Sequence, residues 1–191
     1  MKKSAVIAFI FCLFAGYAVQ AQREETLINN GSARFSGIWG AFSNNYSSFD
    51  NNWIYNRGGY GGFEFGRTVF IGFGGYRYRE DVNLESGATP FKMKYGAFII
   101  GVSPNSRKAI HPRINILTGR GRISSAYEGS DRIFVVQPSA GLELNVFQWF
   151  RVGLEGGYRL VLDSDIPGLE NAKVSAPFAQ LDLRFGVAWG R

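Results

Sequence analysis

The chain has a single cysteine, Cys12, and a single histidine, His111, in 191 residues. Cys12 falls in an amino-terminal segment that reads as cleavable, so the mature chain is expected to hold no thiol. That excludes a disulfide framework, a thiolate metal centre and a cysteine nucleophile. A second long apolar run is also missing. Beyond residues 5–18 nothing approaches the roughly 20 apolar residues that a spanning helix needs. Clustered cations are absent as well: 21 Lys and Arg against 15 Asp and Glu give a formal charge of +6. These cations form no run interleaved with aromatics, so no nucleic-acid partner is expected.

The first residues have the three parts of a secretory signal. Lys2 and Lys3 precede the apolar run, and Val19-Gln20-Ala21 supplies short residues three and one before a cut. Residues 1–21 are therefore expected to be removed. Phe11 before Cys12 is too bulky for a lipoprotein signal, which argues against lipid anchoring. Residues 22–33 are expected to form a short periplasmic lead-in, and residues 34–191 one domain.

What the rest has in abundance is glycine, 25 residues, and aromatics, with 17 Phe, 9 Tyr and 4 Trp. Helical periodicity is weak, and period-two alternation recurs. In 152–162 the apolar Val152, Leu154, Tyr158, Leu160 and Leu162 oppose Gly153, Glu155, Gly157 and Arg159. Leu181, Leu183, Phe185, Val187 and Trp189 oppose Gln180, Asp182, Arg184, Gly186 and Gly190. Phe134, Val136, Ala140, Leu142 and Leu144 oppose Gln137, Ser139, Gly141 and Glu143. Strands are also predicted over 35–42, 60–66, 69–79, 92–102 and 113–118. The phase of the alternation switches between Phe73 and Tyr76, which predicts a bulge at Gly74-Gly75.

Eight strands result, joined by links of alternating length. Those at 67–68, 103–108 and 147–149 are short, while 43–56, 80–91, 124–131 and 163–175 are long and polar. Short periplasmic turns and long outer loops are the asymmetry of membrane barrels. The expected fold is all-β, an eight-stranded antiparallel up-and-down transmembrane β-barrel with both ends in the periplasm. Alternation alone does not tell inside from outside, and a soluble lipocalin-like carrier would turn its apolar face inward. Glycine on the polar face tips the reading, since Gly141, Gly153, Gly157, Gly186 and Gly190 suit a crowded lumen better than a solvated wall. Trp149, Phe150, Tyr158 and Trp189 are the expected interface aromatics, with Tyr76 and Tyr78 toward the opposite rim.

These features together resemble the small eight-stranded outer-membrane barrels of Gram-negative bacteria, the group of the OmpA transmembrane domain and OmpX. The resemblance rests on the signal, the eight segments and their links, and the run from Phe147 to Arg159 followed by a last strand ending at Trp189. It implies residence in the outer membrane, contact with its lipid, and handling by the barrel-insertion machinery. Such barrels often end in an aromatic residue read by that machinery, and Trp189 stands two residues before the end.

In a narrow barrel inward charges are costly unless paired. Glu143, Glu155, Arg159, Asp182 and Arg184 are expected to form a lumen ion-pair network, with Glu155 opposite Arg184 and Arg159 near Gln180 and Asp182. His111, beside a short turn, has no nucleophile forced next to it, and a rim histidine is expected. Asp163, Asp165 and Glu170 match no cation-loop spacing, and no catalytic residue, metal or cofactor is assigned. The expected role is non-enzymatic, structural or surface contact through loops 43–56, 80–91, 124–131 and 163–175. In the first of these Tyr46, Phe49, Trp53 and Tyr55 offer a surface. The alternatives are a barrel enzyme acting on lipid and the soluble lipid carrier.

Overall fold

The computed structural model describes residues 34–49, 52–83, 90–125, 127 and 129–189. The expected signal and lead-in, residues 1–33, and Gly190 lie outside the described residues. The strands are β1 (Phe35–Phe49), β2 (Asn52–Phe65), β3 (Val69–Tyr78), β4 (Phe91–Val102), β5 (Ile110–Ser125), β6 (Gly129–Phe147), β7 (Phe150–Leu162) and β8 (Ala176–Ala188). One helical turn, α1 (Asn171–Val174), precedes β8. Each strand pairs antiparallel with its chain neighbour, and β8 returns to β1, from Gly37 opposite Ala188 to Ser47 opposite Phe178. The sheet is a closed eight-stranded up-and-down barrel. Closure leaves no unpaired edge, which a sheet in hydrocarbon requires.

The strand faces sort as a transmembrane barrel requires. Leu154, Phe73, Ile114, Ile116, Leu142 and Phe185 are exposed on the outer wall. Their neighbours Glu155, Arg113, Asn115, Glu143 and Arg184 are buried in the lumen. A lipocalin-like barrel has the opposite order.

Glycine makes room inside. A Cβ on Gly186 would lie 2.2 Å from the Ile38 carbonyl oxygen and 2.6 Å from Cδ2 of Trp39. Bare backbone on β8 therefore lets the Trp39 indole lie across the seam between the first and last strands. At the β2–β3 turn Gly66 and Arg67 have φ of 56° and 59°, and Thr68 N–H donates to the Phe65 carbonyl at 3.0 Å. This is the tight primed turn that matches strand twist.

Four expectations need correction. Residues 43–56 are not a long loop, because β1 and β2 continue to the direct pair Phe49 with Asn52. Residues 124–131 are likewise mostly strand, with Ser125 opposite Gly129. The bulge at Gly74-Gly75 is absent, since β2 and β3 pair without a shift from Asn56 with Tyr78 to Phe65 with Val69. Finally, Tyr76 and Tyr78 are buried in the lumen rather than set at a rim.

One physical reason covers all four. Toward the loop end the polarity of the two faces exchanges while the backbone runs on. On β5 the lower part has Ile114 and Ile116 out with Arg113 and Asn115 in, and the upper part has Arg122 out with Ile123 in. On β6 Leu142 faces out beside Glu143, and higher up Arg132 faces out beside buried Ile133. The exchange looks like a bulge or a loop when only polarity is read. The register shifts that do occur lie between Phe35 and Gly37 and between Asn145 and Phe147.

Of the remaining links, the one after β3 carries a single bridge, Val82 with Phe91. The link after β7 folds inward, burying Ile166, Leu169 and Val174 with Phe91, Met93, Ile123, Val135 and Val161. The upper lumen thus ends in an apolar cap.

Gly186→Leu is expected to obstruct the β1–β8 seam. The fraction of protein migrating as the compact, heat-modifiable band on unboiled gels should fall sharply, and an unchanged band would show that the seam tolerates a side chain there.

Candidate functional site

Below the cap the lumen is filled by polar side chains in two tiers. The lower tier is built on Glu143 of β6. Its Oε1 accepts from His111 Nε2 at 3.1 Å and from Arg151 Nη1 at 3.3 Å. Its Oε2 accepts from Arg113 Nη1 at 2.7 Å and from Arg184 Nη1. Arg151 also donates to Glu64 Oε2 at 2.9 Å, and its guanidinium lies 3.8 Å from the Trp39 ring centroid. Strands β2, β5, β6, β7 and β8 are tied together through this one cluster.

The upper tier is built on Glu155, Asp182 and Arg159. Glu155 accepts two bonds from Asn115 Nδ2, at 2.7 and 2.8 Å, and one from Ser139 Oγ at 2.7 Å. Arg113 Nε stands 3.3 Å from its Oε1 and so links the tiers. Asp182 accepts from Tyr60 Oη and from Gln180 Nε2, each at 2.9 Å. Arg159 donates from Nε to Tyr95 Oη at 2.9 Å and Gln137 Oε1 at 3.0 Å. Its Nη1 donates to Ser47 Oγ at 2.8 Å and to Tyr78 Oη, and its Nη2 to Asn45 Oδ1 at 3.0 Å.

The five residues singled out from the sequence all face the lumen, but not in the pairs expected. Glu155 stands opposite Gln180, and Arg184 opposite Arg151. The β7–β8 register is four residues away from the one predicted, because β8 begins opposite Arg159 while β7 runs on to Leu162 along β6 alone. Arg184 therefore meets Glu143 across the lumen, not Glu155. Arg159 meets neutral acceptors, and among the described residues no carboxylate lies within 4 Å of Arg159 and no cationic nitrogen within 4 Å of Asp182.

Alternation hid the rest of the tiers. Arg113, Arg151 and Glu64 lie on the inward parity of their strands, which was the available signal. His111, expected at the rim, is a buried lumen residue whose Nδ1 faces the Lys108 carbonyl oxygen at 3.2 Å. Each ring nitrogen thus faces an acceptor oxygen. The interface aromatics Trp149, Phe150, Tyr158 and Trp189 lie on the outer wall. Trp149 stacks on Phe147 at 5.5 Å beside the β6–β7 turn, and Trp189 meets Phe35 edge-on at 5.0 Å.

Four carboxylates, Glu64, Glu143, Glu155 and Asp182, thus share the lumen with four guanidiniums, Arg113, Arg151, Arg159 and Arg184. The formal charges cancel. Between the tiers the free space amounts to about 10 Å³, bordered by Tyr60, Arg113, Asn115 and Glu155. That is roughly what a single water needs.

With this geometry in view, known structures can be compared. The chain resembles Neisserial surface protein A, with 12% identity, 81% of this chain and 97% of that chain covered, and a TM-score of 0.51. It also resembles the N-terminal β-barrel domain of Pseudomonas aeruginosa OprF, with 10% identity, coverage of 78% and 96%, and a TM-score of 0.52. The fold is that of the small outer-membrane β-barrels. No protein-family model matches the chain, and neither does any curated protein.

Removing one member of the lower tier leaves the others charged and buried, a loss of about 3–5 kcal/mol for a buried pair. Glu143→Gln is expected to lower the temperature at which the compact gel band is lost, and Arg184→Leu to do so by less, since Glu143 keeps three other donors. Equal melting of Glu143→Gln and the parent would show that the cluster contributes nothing to stability.

Proposed function

We propose that this chain is a non-enzymatic outer-membrane barrel with a sealed lumen, exported by a signal at residues 1–21 and serving as an envelope anchor with an outward contact surface. The observation that carries the reading is the filling of the lumen. Both tiers are hydrogen-bonded across the barrel, and the apolar cap of Ile166, Leu169 and Val174 lies above them. An eight-stranded barrel has little more room than its side chains occupy.

A lipid-modifying barrel is disfavoured by the placement of the histidine, which is taken up in the lumen cluster. His111 is held by Glu143 and the Lys108 carbonyl oxygen at the end of the short turns. A soluble carrier is disfavoured by the apolar outer wall, which would face water. Outer-membrane lipid and the insertion machinery are the partners this role implies, with Trp189 at the closing seam available to the latter.

The contact surface differs from four floppy loops. Tyr46 and Trp53 are exposed on the upper wall of the β1–β2 hairpin, with the Tyr46 and Tyr55 rings 5.2 Å apart, whereas Phe49 is buried inside. Tyr127, 83% exposed, projects at the tip of the β5–β6 hairpin. Paired strands carry Tyr46, Trp53 and Tyr55, which lowers the ordering cost of binding a partner. Links 80–91 and 163–175 flank them.

In planar phosphatidylcholine bilayers the purified protein is expected to give no stepwise ion current. Regular single-channel steps would overturn the sealed-lumen reading, and recovery of the protein from cells without detergent would overturn the membrane placement.

A further inference from the structure

The outer wall carries a feature that a sealed anchor does not require. Arg57 pairs directly with Arg77, Arg77 with Lys94, Lys94 with Arg122, and Arg122 with Arg132, on five successive strands. All five are exposed, as is Arg120, two residues below Arg122. Among the described residues none of the six has a carboxylate within 4 Å. Like charges directly opposite one another destabilise a sheet, and this row repeats that conflict at every step. With strands about 4.8 Å apart, it runs for about 19 Å. An anion lying across the row removes the conflict.

Beneath the cations lies a second row. Gly59 pairs with Gly75 and Gly75 with Gly96, each two residues nearer the short turns than Arg57, Arg77 and Lys94. At Gly96 the fold does not demand glycine, because an added Cβ would find its nearest atom, the Gly74 carbonyl oxygen, at 3.8 Å. A third row follows. Phe73 pairs with Phe98, two residues below Gly75 and Gly96, and the two rings meet edge-on at 5.2 Å on the outer wall.

Cation, bare backbone and aromatic ring thus descend side by side on β3 and β4, as Arg77-Gly75-Phe73 and Lys94-Gly96-Phe98. The six cations, Gly75 and Gly96 line a depression of about 790 Å³. A soluble polyanion would use the top row alone. An amphiphile uses all three.

We propose that this depression seats a lipid whose headgroup carries more than one phosphate, held with its phosphates on the cation row, its headgroup backbone on the glycine shelf and its chains against Phe73 and Phe98. The inference rests on the membrane placement proposed above, with the long-link end of the barrel in the outer leaflet.

The test uses the protein in phosphatidylcholine nanodiscs doped with diphosphoryl lipid A, with lipid retained on the ejected protein counted by native mass spectrometry. The parent is expected to retain the phosphorylated lipid in preference to phosphatidylcholine. The triple variant R77Q/K94Q/R122Q should bind it roughly 100-fold more weakly, from the usual contribution of each cation at an anionic surface. Gly96→Leu keeps every cation and should still bind at least tenfold more weakly.

Unchanged retention by either variant, with the compact gel band intact, would overturn the proposal. So would displacement of the lipid by equimolar pyrophosphate or heparin, which would make the row a site for soluble anions. Failure of the parent to enter nanodiscs at all would instead sink the membrane placement.

Discussion

A carboxylate with no access to water must find its donors inside the protein, and Glu143 finds four, on three strands besides its own. The rest of the lower lumen follows from this. Arg113, Arg151 and Arg184 are drawn to one point from different sides of the barrel, and Arg151 passes the connection on to Glu64. Backbone ladders alone close a sheet without choosing which residues face inward. The buried charges make that choice, because a slip of one residue would turn Glu143, Glu155 and Arg159 into hydrocarbon.

The same barrel also has two opposite polarities along its length. Over its lower part the wall is oily and the lumen polar, and over its upper part the wall is charged and the lumen oily. The strands run through both parts without a break, so one alternation serves two opposite orders. Soluble cores and membrane barrels are commonly treated as separate architectures. Here the cap above Arg159 is an ordinary apolar core continuous with a polar-filled barrel.

This continuity explains what could be read from the sequence. The last three strands were legible because their outer faces stay apolar over most of their length, as Leu154, Leu160, Leu181 and Phe185 illustrate. Closure, strand number and the short turns followed. The β1–β2 and β5–β6 hairpins were misread as loops because Ser, Asn and Arg on an outward face look the same on a loop as on a strand above the membrane. The inward identity of Tyr76 and Tyr78 was lost in the same way. Pairing partners within the lumen were illegible for a different reason. They depend on register, and register depends on where a hairpin stops, which the polar link at 163–175 leaves open. The row of cations was hidden too, since Arg57, Arg77, Lys94, Arg122 and Arg132 are neighbours in the sheet alone.

Arg159 carries a consequence for how the molecule is made. Its donors reach Asn45 and Ser47 on β1, Tyr78 on β3, Tyr95 on β4 and Gln137 on β6, and it belongs to β7 itself. No partial sheet of consecutive strands that omits β1 or β7 satisfies this guanidinium. Without β1, Tyr78, Tyr95 and Gln137 still accept from it, but Asn45 and Ser47 are missing. Its bonds are complete only when the first strand and the seventh belong to one closed sheet.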